Sequence, residues 1–371
     1  MVARALALVV AALACGAAAP PEEHGPPREG AEETAAEAAA KKPARGWFVL
    51  PMLFWLPETK AGLAGAAGVH FRPHGADRPS SAFLVVGYTM EKQGSVDLSS
   101  DVYLPGGSLV SGRFRAVHFP DAFYGIGPST SVQDRELYTR RFLELNATAE
   151  LPVLRGRLRA GPRLNARVEE IRDVEPGGLL DAGLVDGADG FSAIGLGVSV
   201  TWDTRDRPLG STRGSFVQAS YVHHPAALAD NDGFGRGWLE ARLFRPLGRE
   251  TILGLAALLE TADGETPFSL LPKLGSTRFL RGYREGRFRD QIAWAAQAEV
   301  RTPLTARISG AAFAAIGDVA KDFASLRADT IKLAGGIGAR FRLTGEGANL
   351  RLDVAASRAG PEVYLLLLDA F

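Results

Sequence analysis

The chain has 371 residues, with 42 Lys and Arg against 42 Asp and Glu, so its formal net charge is zero and charge gives no case for a nucleic-acid partner. Hydrophobic residues make up 46%. Beyond the N-terminus no stretch stays apolar for the ~18–20 residues that a spanning helix needs, so a helical membrane protein is not expected.

Residues 1–19 read as a secretory signal, with Arg4 as the positive start, Leu6 to Leu13 as the apolar segment and small residues after it. The only cysteine, Cys15, lies inside it. Ala12-Leu13-Ala14-Cys15 is close to a lipoprotein cleavage site but lacks the usual Leu three residues before the Cys. Two outcomes stay open: lipidation of Cys15, or ordinary cleavage nearby. A mature chain without cysteine has no disulfide, thiolate metal site or cysteine nucleophile. Residues 20–45, rich in Pro, Ala, Glu and Gly, bury too little apolar surface to offset their ordering entropy and read as a disordered periplasmic tether.

From Gly46 onward the sequence predicts sixteen strands, near 46–55, 61–72, 80–92, 95–104, 108–119, 137–152, 156–171, 191–203, 213–223, 236–246, 250–262, 290–303, 306–317, 329–343, 348–358 and 361–371. The clearest sign is alternation with a period of two. Leu158, Ala160, Leu164, Ala166 and Val168 alternate with Arg157, Arg159, Arg163, Asn165, Arg167 and Glu169. Ile194, Leu196, Val198, Val200 and Trp202 oppose Gly195, Gly197, Ser199, Thr201 and Asp203. Lipid would not accept the charged row, so it must line a wet interior. The longest predicted connections, 120–136, 172–190, 224–235, 263–289 and 318–328, follow odd-numbered strands, while most of those after even-numbered strands are short. That asymmetry is how outer-membrane barrels are built. The expected fold is therefore all-β: residues 46–371 form a closed antiparallel transmembrane β-barrel of sixteen strands with both ends periplasmic.

Several segments carry a family resemblance. They are Trp55-Leu56-Pro57-Glu58-Thr59, Phe123-Tyr124-Gly125-Ile126-Gly127, Trp202-Asp203-Thr204-Arg205-Asp206, and the long connection with Pro267-Phe268, Gly275 and Leu280-Arg281-Gly282-Tyr283. In this order and register the chain resembles the BamA/TamA-like bacterial surface-antigen superfamily of outer-membrane barrels over nearly all of 46–371. The resemblance implies that 263–289 is the long sixth extracellular loop, tipped by Arg281, Gly282 and Tyr283. It also implies that Arg281 enters the lumen and meets acids of the wall. By parity Glu299 is the first partner and Asp353 the second. Without the resemblance, Arg281 reads first as a solvated loop arginine. Two departures stand out. Only the tether stands where assembling members carry POTRA domains, so a POTRA-less member is expected. The family's Phe-x-Asp-x-Gly strand runs Phe313-Ala314-Ala315-Ile316-Gly317, with Asp318 one residue late.

The function implied is assembly or transport of outer-membrane proteins or lipids in the bacterial outer membrane; the alternative is a passive structural barrel or narrow pore. A lateral seam is expected between the first strand, where Pro51 removes a ladder donor, and the last, ending at Phe371 on the face of Val363, Leu365 and Leu367. Implied partners are outer-membrane lipids and other outer-membrane or periplasmic assembly proteins, with no nucleic acid. No cofactor, metal site or enzyme activity is expected. There is no Gly-x-Ser-x-Gly elbow, and the six His form no metal-spaced set. The basic row Arg157, Arg159, Arg163 and Arg167 reads as a wet wall balanced by Glu144, Glu150 and Glu240, or as an attractor of anions.

Overall fold

A computed structural model describes residues 46–56, 60–154, 157–248, 250–343 and 348–371. The readings for the signal 1–19, Cys15 and the tether 20–45, and Pro57 to Thr59 of the first motif, lie outside them. The strands are β1 (Gly46–Leu56), β2 (Lys60–Phe71), β3 (Ser80–Thr89), β4 (Gly94–Tyr103), β5 (Leu109–Phe123), β6 (Glu136–Leu154), β7 (Leu158–Arg172), β8 (Gly190–Asp203) and β9 (Gly214–Pro225). They continue with β10 (Gly233–Pro246), β11 (Ile252–Gly264), β12 (Lys273–Leu274), β13 (Phe288–Arg289), β14 (Ile292–Pro303), β15 (Ile308–Ala320), β16 (Lys332–Arg342), β17 (Asn349–Ser357) and β18 (Gly360–Leu367). Sixteen of them form one antiparallel sheet in chain order, with β1 at one end and β18 at the other. β12 and β13 form a separate two-stranded ladder inside the long connection from β11 to β14.

Burial is inverted relative to a soluble sheet. On β8, Leu196 and Val198 are 61% and 62% exposed, whereas Ser199 and Thr201 are 0% and 1% exposed. On β7, Arg159, Asn165, Arg167 and Glu169 are buried while Val168 is exposed. Both strands face as predicted. An apolar outside and a charged, hydrogen-bonded inside suit a sheet wrapped in lipid around a polar interior.

The longest connections, 124–135, 173–189, 265–291 and 321–331, share one end of the sheet. The opposite end carries shorter ones such as 104–108, 247–251 and 304–307, together with the start of β1 and the end of β18.

Strand boundaries shift by up to four residues from expectation, most at β5 and β18. β5 runs on to Phe123, through Pro120, because Thr139 of β6 continues the ladder opposite it. β18 stops at Leu367, because Leu368 takes a left-handed φ of 65° that no continuing strand tolerates.

Candidate functional site

The connection from β11 to β14 folds back against the charged inner face of the sheet, and the two-residue ladder of β12 and β13 braces it. Gly275 (φ 84°) and Gly282 (φ 110°) occupy left-handed conformations, and a Cβ on Gly275 would fall 1.9 Å from the Arg284 carbonyl oxygen. Beside the ladder, Lys273 pairs with Glu285 at 3.0 Å. That ammonium, above all, holds the Glu285 carboxyl well below the usual carboxylate range. Burial pushes the Lys273 ammonium down, and Glu285 opposes the shift.

Arg281, at the tip, is fully buried. Its Nη1 donates to Asp353 Oδ2 on β17 and its Nη2 to Glu299 Oε2 on β14, both at 2.7 Å. The guanidinium carbon lies over the Phe313 ring on β15, 3.4 Å from the centroid. The structure thus brings Arg281, Glu299 and Asp353 together, with both acids engaged at once. Gly282 N donates to the Tyr364 hydroxyl on β18 at 2.9 Å, and the Ser357 hydroxyl donates to Gly282 O at 2.6 Å. Tyr283 packs edge-on to Phe288, with ring centroids 5.5 Å apart.

The acids are shared. Arg340 donates to Asp353 Oδ1 at 2.5 Å and Glu299 Oε1 at 3.0 Å, and Arg301 donates to Glu299 Oε1 at 2.8 Å. Sequence reasoning missed Arg301 and Phe313 as partners, and Arg340 and Tyr364 altogether. Inward parity on their strands was the available signal.

The tip's neighbours hold other motifs. Phe123, first of the Phe-Tyr-Gly-Ile-Gly segment, meets Phe268 at 5.2 Å, and Gly127 N donates to Arg289 O. Arg287 donates to Thr130 Oγ1 and O at 2.7 and 2.6 Å. At the opposite end, Asp203 of the Trp-Asp-Thr-Arg-Asp segment accepts from Arg205 and, at 2.5 Å, from Arg78.

Phe371 departs from the expected facing. It does not share the outer face with Val363 and Leu365. The turn at Leu368 carries it inward, where it stacks on Phe244 at 6.2 Å and its main-chain oxygen accepts from Arg301 at 3.1 Å. Gly254 leaves room for the ring, since a Cβ there would come within 2.7 Å of it. Asp369, two residues before Phe371, pairs inside with Arg301 at 3.2 Å and Arg340 at 3.3 Å. Pro51 is exposed and lies on β1, the end strand of the sheet, opposite Gly65 of β2.

The basic row is partly balanced as expected, with Arg159 3.6 Å from Glu150 and Arg167 3.6 Å from Glu144. Glu240 instead pairs with Arg242 and the loop's Arg278, both at 2.6 Å. Arg157 precedes β7 and is exposed. His223 is exposed and His224 buried, on opposite faces of β9, so they do not share a ligand. Among the described residues no group of three or more His, Cys, Asp or Glu is placed to hold a metal ion.

Comparison with known proteins follows the geometry. The family model described as "Omp85 superfamily domain" matches residues 146–362. BamA from Haemophilus ducreyi, in a crystal structure lacking POTRA domains 1-3, is similar with a TM-score of 0.56 at 14% identity, over 87% of this chain and 69% of that one. CdiB from Escherichia coli gives 0.53 at 13% identity, over 89% and 61%. CdiB from Acinetobacter baumannii gives 0.52 at 10%, over 86% and 63%. At these identities the likeness shows the fold alone, and the chain spans under two thirds of either CdiB chain. A comparison with curated proteins gives no match.

Proposed function

The chain belongs to the Omp85 superfamily, and from that premise we propose that it is a closed outer-membrane β-barrel that assists assembly or translocation of outer-membrane proteins or lipids. In this reading the longer connections face the cell exterior and both ends of residues 46–371 face the periplasm. Outer-membrane lipids surround the barrel, and outer-membrane or periplasmic assembly proteins work with it.

One observation carries the reading. The hydrogen bonds of Arg281 and Gly282 to the sheet run to β14, β17 and β18, all toward the β18 end of the sheet. Such a clamp makes the last strands a stiff body. A fork of guanidinium to two carboxylates in a confined interior holds geometry well. β1 stands across the seam as the other end of the sheet, and Pro51 deprives it of one backbone donor. The seam is then the weakest line in the wall and the place where a client strand or a lipid exchanges with the barrel.

Cysteines placed in pairs across the seam, at outward positions such as Val49 and Val363, test this. Oxidised pairs are expected to abolish any acceleration of barrel-protein insertion into liposomes, and reduction is expected to restore it. Undiminished insertion with the seam cross-linked removes the seam from the mechanism. If the unmodified protein gives no acceleration and only a steady conductance, the assembly reading falls and a passive barrel or narrow pore replaces it.

A further inference from the structure

We propose that the lumen beneath the loop tip is a binding site for a phosphate group, carried by a small soluble phosphate or by a lipid head group. The site is a cavity of about 330 Å³ at the short-connection end of the barrel. Its ceiling is Thr277 and Arg278 of the long loop, its floor the turn Pro208 to Ser211, and one wall the inward-turned segment at Asp369 to Phe371. A second cavity of about 640 Å³ shares Gly210, Ser211 and Asp369 with it and adds Arg207, Arg307 and Arg342, giving a basic path inward from that end.

Five arginines line the inner cavity: Arg113, Arg205, Arg242, Arg278 and Arg351. The chain as a whole is neutral, so this surplus is local. Every acid they reach is divided among several guanidinium groups. Asp97 serves Arg113 and Arg115, and Glu240 serves Arg242 and Arg278. Asp203 serves Arg78, Arg159 and Arg205. Asp353 serves Arg281, Arg340 and Arg351. The one acid lining the cavity, Asp369, is taken by Arg301 and Arg340.

Arg351 is the sharpest sign. It is 2% exposed, and although Nη2 donates to Thr277 O, its Nε and Nη1 have no hydrogen bond. Nη1 reaches Asp353 only at 3.6 Å, beyond hydrogen-bond length. Buried donors of a charged group are costly to leave unmet, and a phosphate oxygen supplies the missing acceptor and counter-charge together. Arginine forks match the spacing of phosphate oxygens. The volume sits at the small end of ligand sites, which suits a phosphate monoester or diphosphate group rather than a folded segment.

The test uses the full chain folded in zwitterionic vesicles at low salt, titrated calorimetrically with inorganic pyrophosphate. Saturable binding is expected, weakened about tenfold or more in Arg242→Gln and in Arg113→Gln, and unchanged in Arg172→Gln at the far end of the barrel. Arg113 is half-exposed and stands apart from the clamp, so its variant stays informative if Arg242→Gln fails to fold. The same titration in vesicles containing phosphatidylglycerol separates the sources. Loss of pyrophosphate binding there assigns the site to a lipid head group, and unchanged binding assigns it to a soluble phosphate. No saturable binding in the folded wild type, or equal affinity in wild type and both cavity variants, overturns the proposal.

Discussion

Replacing Arg281 by Ala is the most direct challenge to the clamp. The side chain is fully buried and makes two charge-assisted hydrogen bonds of 2.7 Å, one to Asp353 and one to Glu299. Removing one partner from a buried ion pair generally costs ~3–5 kcal/mol, because the other charge is left uncompensated. Here the acids are not abandoned. Glu299 keeps Arg301 and Arg340, and Asp353 keeps Arg340. The loss therefore falls at the low end, about 3 kcal/mol, including the contact with Phe313. Arg281→Lys is expected to lose less, since an ammonium keeps the charge but does not fork to both acids. Urea unfolding of the barrel in lipid vesicles reads these differences, and semi-native gels report the same order as a lower temperature of unfolding. A double-mutant cycle with Glu299→Gln is expected to show coupling of about 1 kcal/mol or more; additivity within ~0.5 kcal/mol refutes the pairing.

The strands were legible because a membrane barrel states its two faces in the sequence. Each β7 and β8 side chain had only lipid or lumen to meet, and the period of two separates Leu164 from Arg163 and Val198 from Ser199 without help from distant residues. Glu299 and Asp353 were legible for the same reason, as acids at inward positions. What parity cannot convey is where the chain leaves the ladder. Phe371 continues the outward parity of Val363 and Leu365, but the left-handed turn at Leu368 breaks the alternation and brings the ring beneath Phe244. That turn is a choice between lipid for the aromatic and the partners Arg301, Arg340 and Asn349 for Asp369. The partners win because a carboxylate in the apolar band is the costlier outcome. Pairing across the lumen was equally hidden. Arg78 and Asp203 are 125 residues apart and joined by no ladder.

Three further outcomes follow from side-chain placement. Gly282→Ala forces an L residue to φ 110° and sets a Cβ 3.1 Å from the Ala356 carbonyl carbon. It is expected to cost ~1–3 kcal/mol in urea unfolding, and a value indistinguishable from wild type refutes the tip geometry. Phe371→Ala and Phe244→Ala are expected to couple by ~0.5–1.5 kcal/mol, as stacked rings do, whereas strict additivity returns Phe371 to the lipid face. Leu164→Arg is expected to harm assembly far more than Arg163→Leu. Leu164 pairs with Leu196 on β8, whose side chain is 61% exposed on the outer wall, so an arginine there enters the apolar band and costs ~2–4 kcal/mol near mid-membrane. Arg163 stands opposite Gly197, on the face of the buried Asn165 and Arg167. A leucine there removes one of several inward cations and meets no lipid penalty. The fraction of folded barrel recovered after refolding into vesicles measures both variants. Equal loss, or a worse result for Arg163→Leu, inverts the facing of β7 and with it the register shared by β6, β7 and β8.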